Sequence, residues 1–305
     1  MAAGEKSMGK IKLKTFSLFG KTNFTKTFKV LSLIFILATQ PQCSNNNLFS
    51  VLQRDTDESR LYAAKMKMND QDWQGAVDEF ADMSADFLDK RTTKLEFAKA
   101  YAGLCGLDLF QLISDLAGAD SLFLILETAM RGSTAANATA CINAEAKIQE
   151  ISLDAAQRNS EENLVMAFIE LAKIGAIISS RANPDGDAVI NWGNNDSCTV
   201  GNGTTNFVTS NEAKHVATGL ANFIASLTSA GSSIAGSTLT DLTAVCDSIE
   251  LNLGAQYNFC NAFVISGITA DMEDAVRAAL QEGSSGVGLA TCTTGAFTIA
   301  ECVCP

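Results

Sequence analysis

The pattern of apolar and polar positions predicts helices from about residue 56 onward. Apolar residues recur at spacings of three and four over residues 58–68 and again over 73–80, with a polar break at 69–72. This is the periodicity of amphipathic helices. Thr56 precedes the first of them and is a suitable N-cap. We therefore expect an antiparallel helical hairpin here.

The same periodicity predicts further helices along the chain, at about residues 94–105, 138–157, 160–180, 210–230, 238–251 and 270–282. We expect Ser210 to cap the helix at 210–230 and Thr269 to cap the helix at 270–282. Gly106 and Gly231 are expected to end the helices that precede them. The apolar segments 107–116 and 121–130 are expected to be buried. With only three prolines in the chain, the fold class predicted is all-α.

The predicted helix that begins at Ser160 stands apart because its body is apolar nearly all round. Over Leu164–Ile178 only Glu170 and Lys173 interrupt the apolar residues. Such a helix lies in a protein core or spans a membrane. Two charges within this stretch favour the core, so we expect a central helix round which helical hairpins pack.

Residues 1–42 show the order of features of a secretory signal peptide. Seven lysines precede the apolar run Val30–Ala38. These nine apolar residues are too few for a membrane span, which needs about 20. Cys43 follows and opens a polar tether at 43–55. Lipidation of Cys43, cleavage near Ala38 and an uncleaved anchor all stay open, as does the choice of Met1 or Met8 as the start.

Cysteine is the second strong signal. Cys43 aside, eight cysteines remain: Cys105, Cys141, Cys198, Cys246, Cys260, Cys292, Cys302 and Cys304. An even number behind a secretory signal predicts four disulfides, whose pairing the sequence does not assign. The closest pair at the C-terminus, Cys302 and Cys304, is not a CxxC motif, and His215 has no second histidine beside it, so we predict no zinc site.

The organisation predicted after the tether is a single helical domain, 56–305. It has a helical-hairpin half at 56–181, a long loop at 182–208 and a disulfide-rich, loop-rich half at 209–305. Oxygen-bearing side chains crowd the long loop, which makes Asp185, Asp187 and Asp196 weak calcium candidates. No glutamate closes an EF-hand there, and a solvated loop is the interpretation we favour.

Charge and motifs narrow the function. Residues 1–42 hold seven of the 22 basic and one of the 34 acidic residues, which leaves 15 and 33 beyond them, a net charge of −18. That balance disfavours nucleic acid and anionic membrane surfaces as partners. The sequence contains no nucleophile elbow, phosphate loop, HExxH or paired CxxC motif. We therefore predict no catalytic residue, no cofactor and no enzyme activity, and we expect His215 on the surface.

The first hairpin resembles a tetratricopeptide (TPR) repeat. Ala64 stands in its first helix, Trp73 follows the turn, and Ala76 and Phe80 lie four residues apart in its second helix. Residues 98–104 also look like the first helix of a following hairpin. The match extends from residue 58 to 105. Small residues at such positions let two helices approach closely while the aromatic ring fills the gap.

Together with the signal, the chain resembles TPR-like lipoproteins of Gram-negative bacteria. That resemblance implies a scaffold or adaptor for an envelope protein or peptide. It also implies a lipid anchor at Cys43 on the periplasmic face of the outer membrane, because Ser44 follows the cysteine. The alternative is a periplasmic carrier that holds an apolar or anionic small molecule and serves a transporter. A third interpretation, a eukaryotic secreted protein, follows from the sequons at Asn137, Asn195 and Asn202.

Overall fold

The computed structural model of the protein describes residues 55–108, 122–182, 208–231, 246–247, 249–251 and 254–281, all within one unit, Asp55–Pro305. The secondary structure of these residues is entirely helical, which confirms the all-α class for this part of the chain. Several predicted features lie outside the described residues: the signal, Cys43, nearly all of the tether and of the long loop with its calcium candidates, Asn195, Asn202, Cys198, Cys292, Cys302 and Cys304.

The α-helices, in chain order, are α1 (Asp57–Asn69), α2 (Trp73–Ala81), α3 (Ala85–Leu88), α4 (Arg91–Cys105), α5 (Leu122–Ala129), α6 (Ala135–Gln149), α7 (Ser160–Ala182), α8 (Ser210–Ala230) and α9 (Ala270–Gln281). Three short 3₁₀ helices, Ala155–Gln157, Ala255–Tyr257 and Ile265–Gly267, lie between them.

Most of the predicted caps are present. The hydroxyl of Thr56 accepts a hydrogen bond from the Ser59 amide, the hydroxyl of Thr269 accepts one from the Met272 amide, and Gly106 and Gly231 end α4 and α8 with positive φ. The prediction of Ser210 as a cap is wrong.

Thr209 caps α8 instead, because a capping box needs a side chain three positions on that accepts a hydrogen bond from the N-cap amide, and Glu212 provides it. The Glu212 carboxylate accepts from the Thr209 amide at 2.8 Å, while the Thr209 hydroxyl accepts from the Glu212 amide at 3.3 Å. Ala213 lies three positions after Ser210, and its methyl side chain cannot accept a hydrogen bond from the Ser210 amide.

The helix predicted at 138–157 also needs correction. It begins earlier and ends at Gln149, and the chain then turns before the 3₁₀ helix Ala155–Gln157. Asp154 has an extended backbone there, and its carboxylate accepts a hydrogen bond from the Ala156 amide at 2.9 Å. An aspartate that caps a new turn in this way competes with continuation of the preceding helix.

The helices pack in chain order. Helix α1 packs on α2, α2 on α4, and α4 on α6, whereas α7 contacts α4, α5, α6 and α8, and α9 packs on α8. Among α1 to α4 the rings of Phe80 and Phe97 stack with centroids 4.9 Å apart, and the Trp73 ring lies against Gly103, where a Cβ would be 2.2 Å from it. Further apolar clusters lie between α4, α6 and α7 and among α5 to α9.

Two disulfides are present among the described cysteines. Cys105 at the end of α4 is bonded to Cys141 on α6, and Cys246 is bonded to Cys260 in the segment before α9. The first disulfide joins two helices that also pack against each other. The second joins two cysteines that are 14 residues apart in the sequence.

Among the described helices, one meets the length and composition of a membrane span. It covers Ser160–Arg181, nearly the whole of α7, and 78% of its most apolar window is buried inside the protein. A buried core helix passes the same test, so this finding is weak evidence for a membrane role.

Candidate functional site

A cavity of about 560 Å³ lies where 3₁₀ turns take the place of longer helices. Its walls come from the turn before α7, from α8, from the segment 258–267 and from the first turn of α9. The lining residues are Leu153, Asp154, Ala155, Arg158, Ala225, Asn258, Asn261, Ala262, Phe263, Val264, Gly267 and Met272. The volume falls within the range of about 300–1,000 Å³ that is typical of small-molecule sites.

The lining is mainly apolar, and so is its solvent-exposed edge. Leu153, Phe263 and Val264 are 57%, 38% and 37% exposed. We call these three residues the rim of the cavity. Large apolar side chains that are exposed next to one another commonly mark a binding site.

Arg158 is the one cation among the described residues of the lining, and it is less exposed than the rim. Arg158 is only 6% exposed, and neither its Nε nor its Nη1 has a hydrogen-bond partner. None of the described carboxylates forms an ion pair with it. Burial lowers the pKa of Arg158 against the attraction of Glu170 and Asp154, but an arginine stays protonated in proteins. A buried charge without a partner is costly.

The backbone that carries Arg158 is held by side chains on both sides. The buried Asn163 of α7 donates from Nδ2 to the carbonyl oxygens of Ala155 at 2.9 Å and Arg158 at 3.3 Å. On the other side, the Asp154 carboxylate caps the 3₁₀ turn as described above. Arg158 therefore stands on a fixed turn.

The opposite wall is ordered by an asparagine and a disulfide. Asn258 accepts a hydrogen bond from the Cys260 amide at 3.0 Å and donates to the Glu250 carboxylate at 2.6 Å. Cys260 is in turn bonded to Cys246. This covalent and hydrogen-bonded frame positions Phe263 and Val264 of the rim.

Behind the cavity a lysine and two glutamates form a buried charged cluster. Lys173 Nζ on α7 lies 2.7 Å from Glu145 Oε2 on α6 and 2.5 Å from Glu170 Oε2. Lys173 and Glu170 are fully buried and Glu145 nearly so. Only the contact with Glu145 also has hydrogen-bond geometry. Such a cluster is stable only if its charges balance.

A proton on Glu170 would provide that balance. Burial first, and the neighbouring Glu145 carboxylate second, raise the pKa of Glu170 well above its ordinary value. Burial acts to lower the pKa of Lys173, but the two glutamates outweigh it and raise that pKa. With Glu170 protonated, Glu145 and Lys173 neutralise each other. Arg158 then has no counter-charge left in the cluster.

An amide connects the cluster to the cavity wall. Asn222 of α8 is buried, and its Nδ2 lies 3.4 Å from Glu145 Oε1 and 3.1 Å from the carbonyl oxygen of Phe263. Gln149 also donates to Glu145, at 2.9 Å. The cluster and the rim are thus joined by one side chain.

His215 does not lie on the surface, so that prediction is wrong. It is 5% exposed, and its Nδ1 has no hydrogen-bond partner. Burial first and the charge of Lys173 second lower the pKa of His215 to about 4, against the opposing effect of Glu145 and Glu212. His215 is therefore neutral near pH 7.

The residues that sequence analysis selected do not build this site. Ala64, Ala76 and Phe80 are fully buried in the core among α1 to α4. Among the described cysteines, Cys260 lies in the segment that lines the cavity. Within the part of the chain that the structure describes, no three His, Cys, Asp or Glu side chains cluster as a metal site would require. Arg158 was not selected at all.

Comparisons with known proteins leave the function open. The chain matches no protein-family model, no curated protein and no solved structure.

The charge state of the cluster can be tested with two substitutions. We expect Lys173→Met to lower the free energy of unfolding by about 3–5 kcal/mol, because it leaves a buried carboxylate without its partner. Glu170→Gln, which retains an uncharged group of the same shape, should change it by less than about 1 kcal/mol. Urea denaturation at pH 7 measures both. An equal loss in the two variants would show that Glu170 is ionised.

A second prediction concerns pH. Because the pKa of His215 falls to about 4 on folding, from an ordinary value near 6.5, the unfolded chain binds more protons between these values. The contribution of His215 to the free energy of unfolding is therefore fully present above pH 6.5. It is lost as the pH falls from 6.5 to 4, by at most about 1.4 kcal/mol per pH unit. The raised pKa of Glu170 acts in the opposite direction, with stability lost as pH rises above its ordinary value.

The comparison of wild type with His215→Gln separates the two groups, since both proteins contain Glu170. We expect the difference in unfolding free energy, measured by denaturation at several pH values, to shrink from pH 7 to pH 4. A difference that is constant with pH would contradict the buried, neutral state of His215.

Proposed function

We propose that the protein is a non-enzymatic carrier that holds a small molecule with an apolar body in the cavity. One observation carries this proposal: a cavity of about 560 Å³ with a mainly apolar lining and an exposed apolar rim. Ligand sites in helical proteins are commonly found between packed helices. Of the two functions that the sequence suggested, the carrier is the one that this geometry supports.

The adaptor stays as a second proposal, on a different surface. Tyr62 and Met66 are four residues apart on α1 and are 68% and 43% exposed. They place apolar side chains on the outside of the hairpin. A peptide that docks on α1 would be the partner, and loss of its cross-linking in Tyr62→Ser would test the idea.

We also propose that α1 and α2 form a TPR-like hairpin and that α7 serves as the central helix of the fold. The buried Ala64 and Ala76, the stacked Phe80 and the close approach of Trp73 to Gly103 support the first. Contacts of α7 with four other helices support the second.

For the location of the protein, we propose a lipid-anchored form on the periplasmic face of the outer membrane, with soluble periplasmic or secreted protein as the alternative. The basic leader, the short apolar run and Cys43 support it. Intact mass spectrometry of the protein from the membrane fraction should give a mass that begins at Cys43 and includes acyl chains. A mass that begins near Thr39 without lipid would contradict the anchor.

The carrier is tested by filling the cavity. Ala225 on α8 lines it and is only partly buried. We expect Ala225→Phe to abolish binding of 1-decanol, a neutral apolar probe, in isothermal titration calorimetry, because the ring occupies the space.

Thr228→Phe is the matched control. It adds the same ring to the same helix at an exposed position that is not part of the lining, and it should bind 1-decanol like the wild type. Failure of the wild-type protein to bind the probe, or equal binding by all three proteins, would refute a carrier function for this cavity.

A further inference from the structure

We infer that the ligand of the cavity is a monocarboxylate with an apolar chain, bound with its carboxylate at Arg158 and its chain towards the rim. This inference rests on the proposed carrier function and names the class of ligand.

The first argument is charge. Arg158 is 94% buried, lines the cavity and has no ion-pair partner among the described side chains. Three acids attract Arg158, namely Glu170, Asp154 and Glu162, but none of them forms an ion pair with it. The Asp154 carboxylate is exposed and caps the Ala156 amide. Glu162 accepts from the Arg91 guanidinium and the Asn159 amide, and Glu170 lies in the Lys173 cluster. A ligand that brings one negative charge would supply the missing partner.

The second argument is the shape of the donor. A guanidinium presents parallel N–H groups that match the two oxygens of a carboxylate. A dianion such as a phosphate monoester fits less well. Arg158 is the sole cation that the structure describes in the lining, and the exposed Asp154 carboxylate lies in the same lining. One cation opposed by one nearby anion selects a ligand with a single charge.

The third argument is orientation. Exposure rises from 6% at Arg158 to 37–57% at the rim residues Leu153, Phe263 and Val264. Among the described lining residues the cation is thus at a buried position, whereas the large apolar side chains of the rim are exposed, together with Asp154 and Asn261. A ligand that places its carboxylate at Arg158 and its apolar chain at the rim must therefore enter the cavity with the carboxylate first.

The experiment compares decanoate with 1-decanol by isothermal titration calorimetry on the intact protein, below the concentration at which decanoate forms micelles. The two probes share one chain length and differ in the headgroup. We expect wild type to bind both. Arg158→Met should weaken decanoate binding by about 10- to 100-fold, as expected for loss of charge-assisted hydrogen bonds, and leave 1-decanol unchanged.

Two further variants keep the test decisive. Arg158→Lys retains the charge but not the paired donors, and should fall between wild type and Arg158→Met for decanoate. Asp154→Asn retains an oxygen that can cap the Ala156 amide but removes a charge from the lining. It should raise affinity for decanoate a few-fold and not affect 1-decanol. Because Arg158→Met removes an unpaired buried charge, we expect it to fold, and its thermal melting curve verifies this.

The outcomes distinguish the two proposals. If 1-decanol binds but decanoate affinity is the same in wild type and Arg158→Met, the carboxylate inference is wrong and the carrier survives. If neither probe binds to the wild-type protein, both proposals fail. Weaker binding of both probes in Arg158→Met, with a normal melting curve, would show that Arg158 shapes the cavity rather than recognises the headgroup, and would also overturn the inference.

Discussion

The burial of charged side chains in a helical core is the constraint on which this structure depends. Helix α7 carries Lys173 and Glu170 into a region with no access to water, and α6 brings Glu145 to meet them. Removing a charge from water is costly unless it is paired at short range. The packing of α6, α7 and α8 is therefore fixed by more than apolar contact, because a shift of α6 would separate Glu145 from Lys173 and a shift of α8 would separate Asn222 from Glu145. Arg158 is an exception to this constraint, because it is also buried but forms no ion pair with a described carboxylate.

The cavity exists because regular helix stops at two places that face each other. Between α6 and α7 the Asp154 cap starts a 3₁₀ turn. Before α9 there are two more such turns, Ala255–Tyr257 inside the loop that the Cys246–Cys260 disulfide closes and Ile265–Gly267 after it. Side chains on such turns do not interlock with α8 as a continuous helix would. The space left between them is lined by the ends of these turns. An apolar cavity with one buried cation is therefore a direct product of local capping and covalent constraints, and these same features hold its polar end in place.

Much of the fold follows from sequence patterns, whereas the candidate site does not. The helices, the hairpin break at 69–72 and most caps could be predicted, because periodicity and capping are local properties of the chain. His215 could not, since periodicity assigns α8 a single apolar face while the structure buries polar positions such as Thr218 and Asn222 as well. Glu170 and Lys173 were visible as interruptions of an apolar helix, and their spacing of three residues could have suggested a buried pair. Nothing local marks Arg158, whose burial depends on segments more than 60 residues away.

The central claim is that an anion binds at the buried end of the cavity, and its most direct test is a crystal structure with 10-bromodecanoate. Anomalous scattering locates the bromine independently of the rest of the ligand. Our account predicts the carboxylate oxygens about 2.7–2.9 Å from the Arg158 guanidinium and the bromine beside the rim residues Leu153, Phe263 and Val264. A bromine next to Arg158 with the carboxylate in solvent, or a ligand that binds elsewhere on the protein, would contradict it.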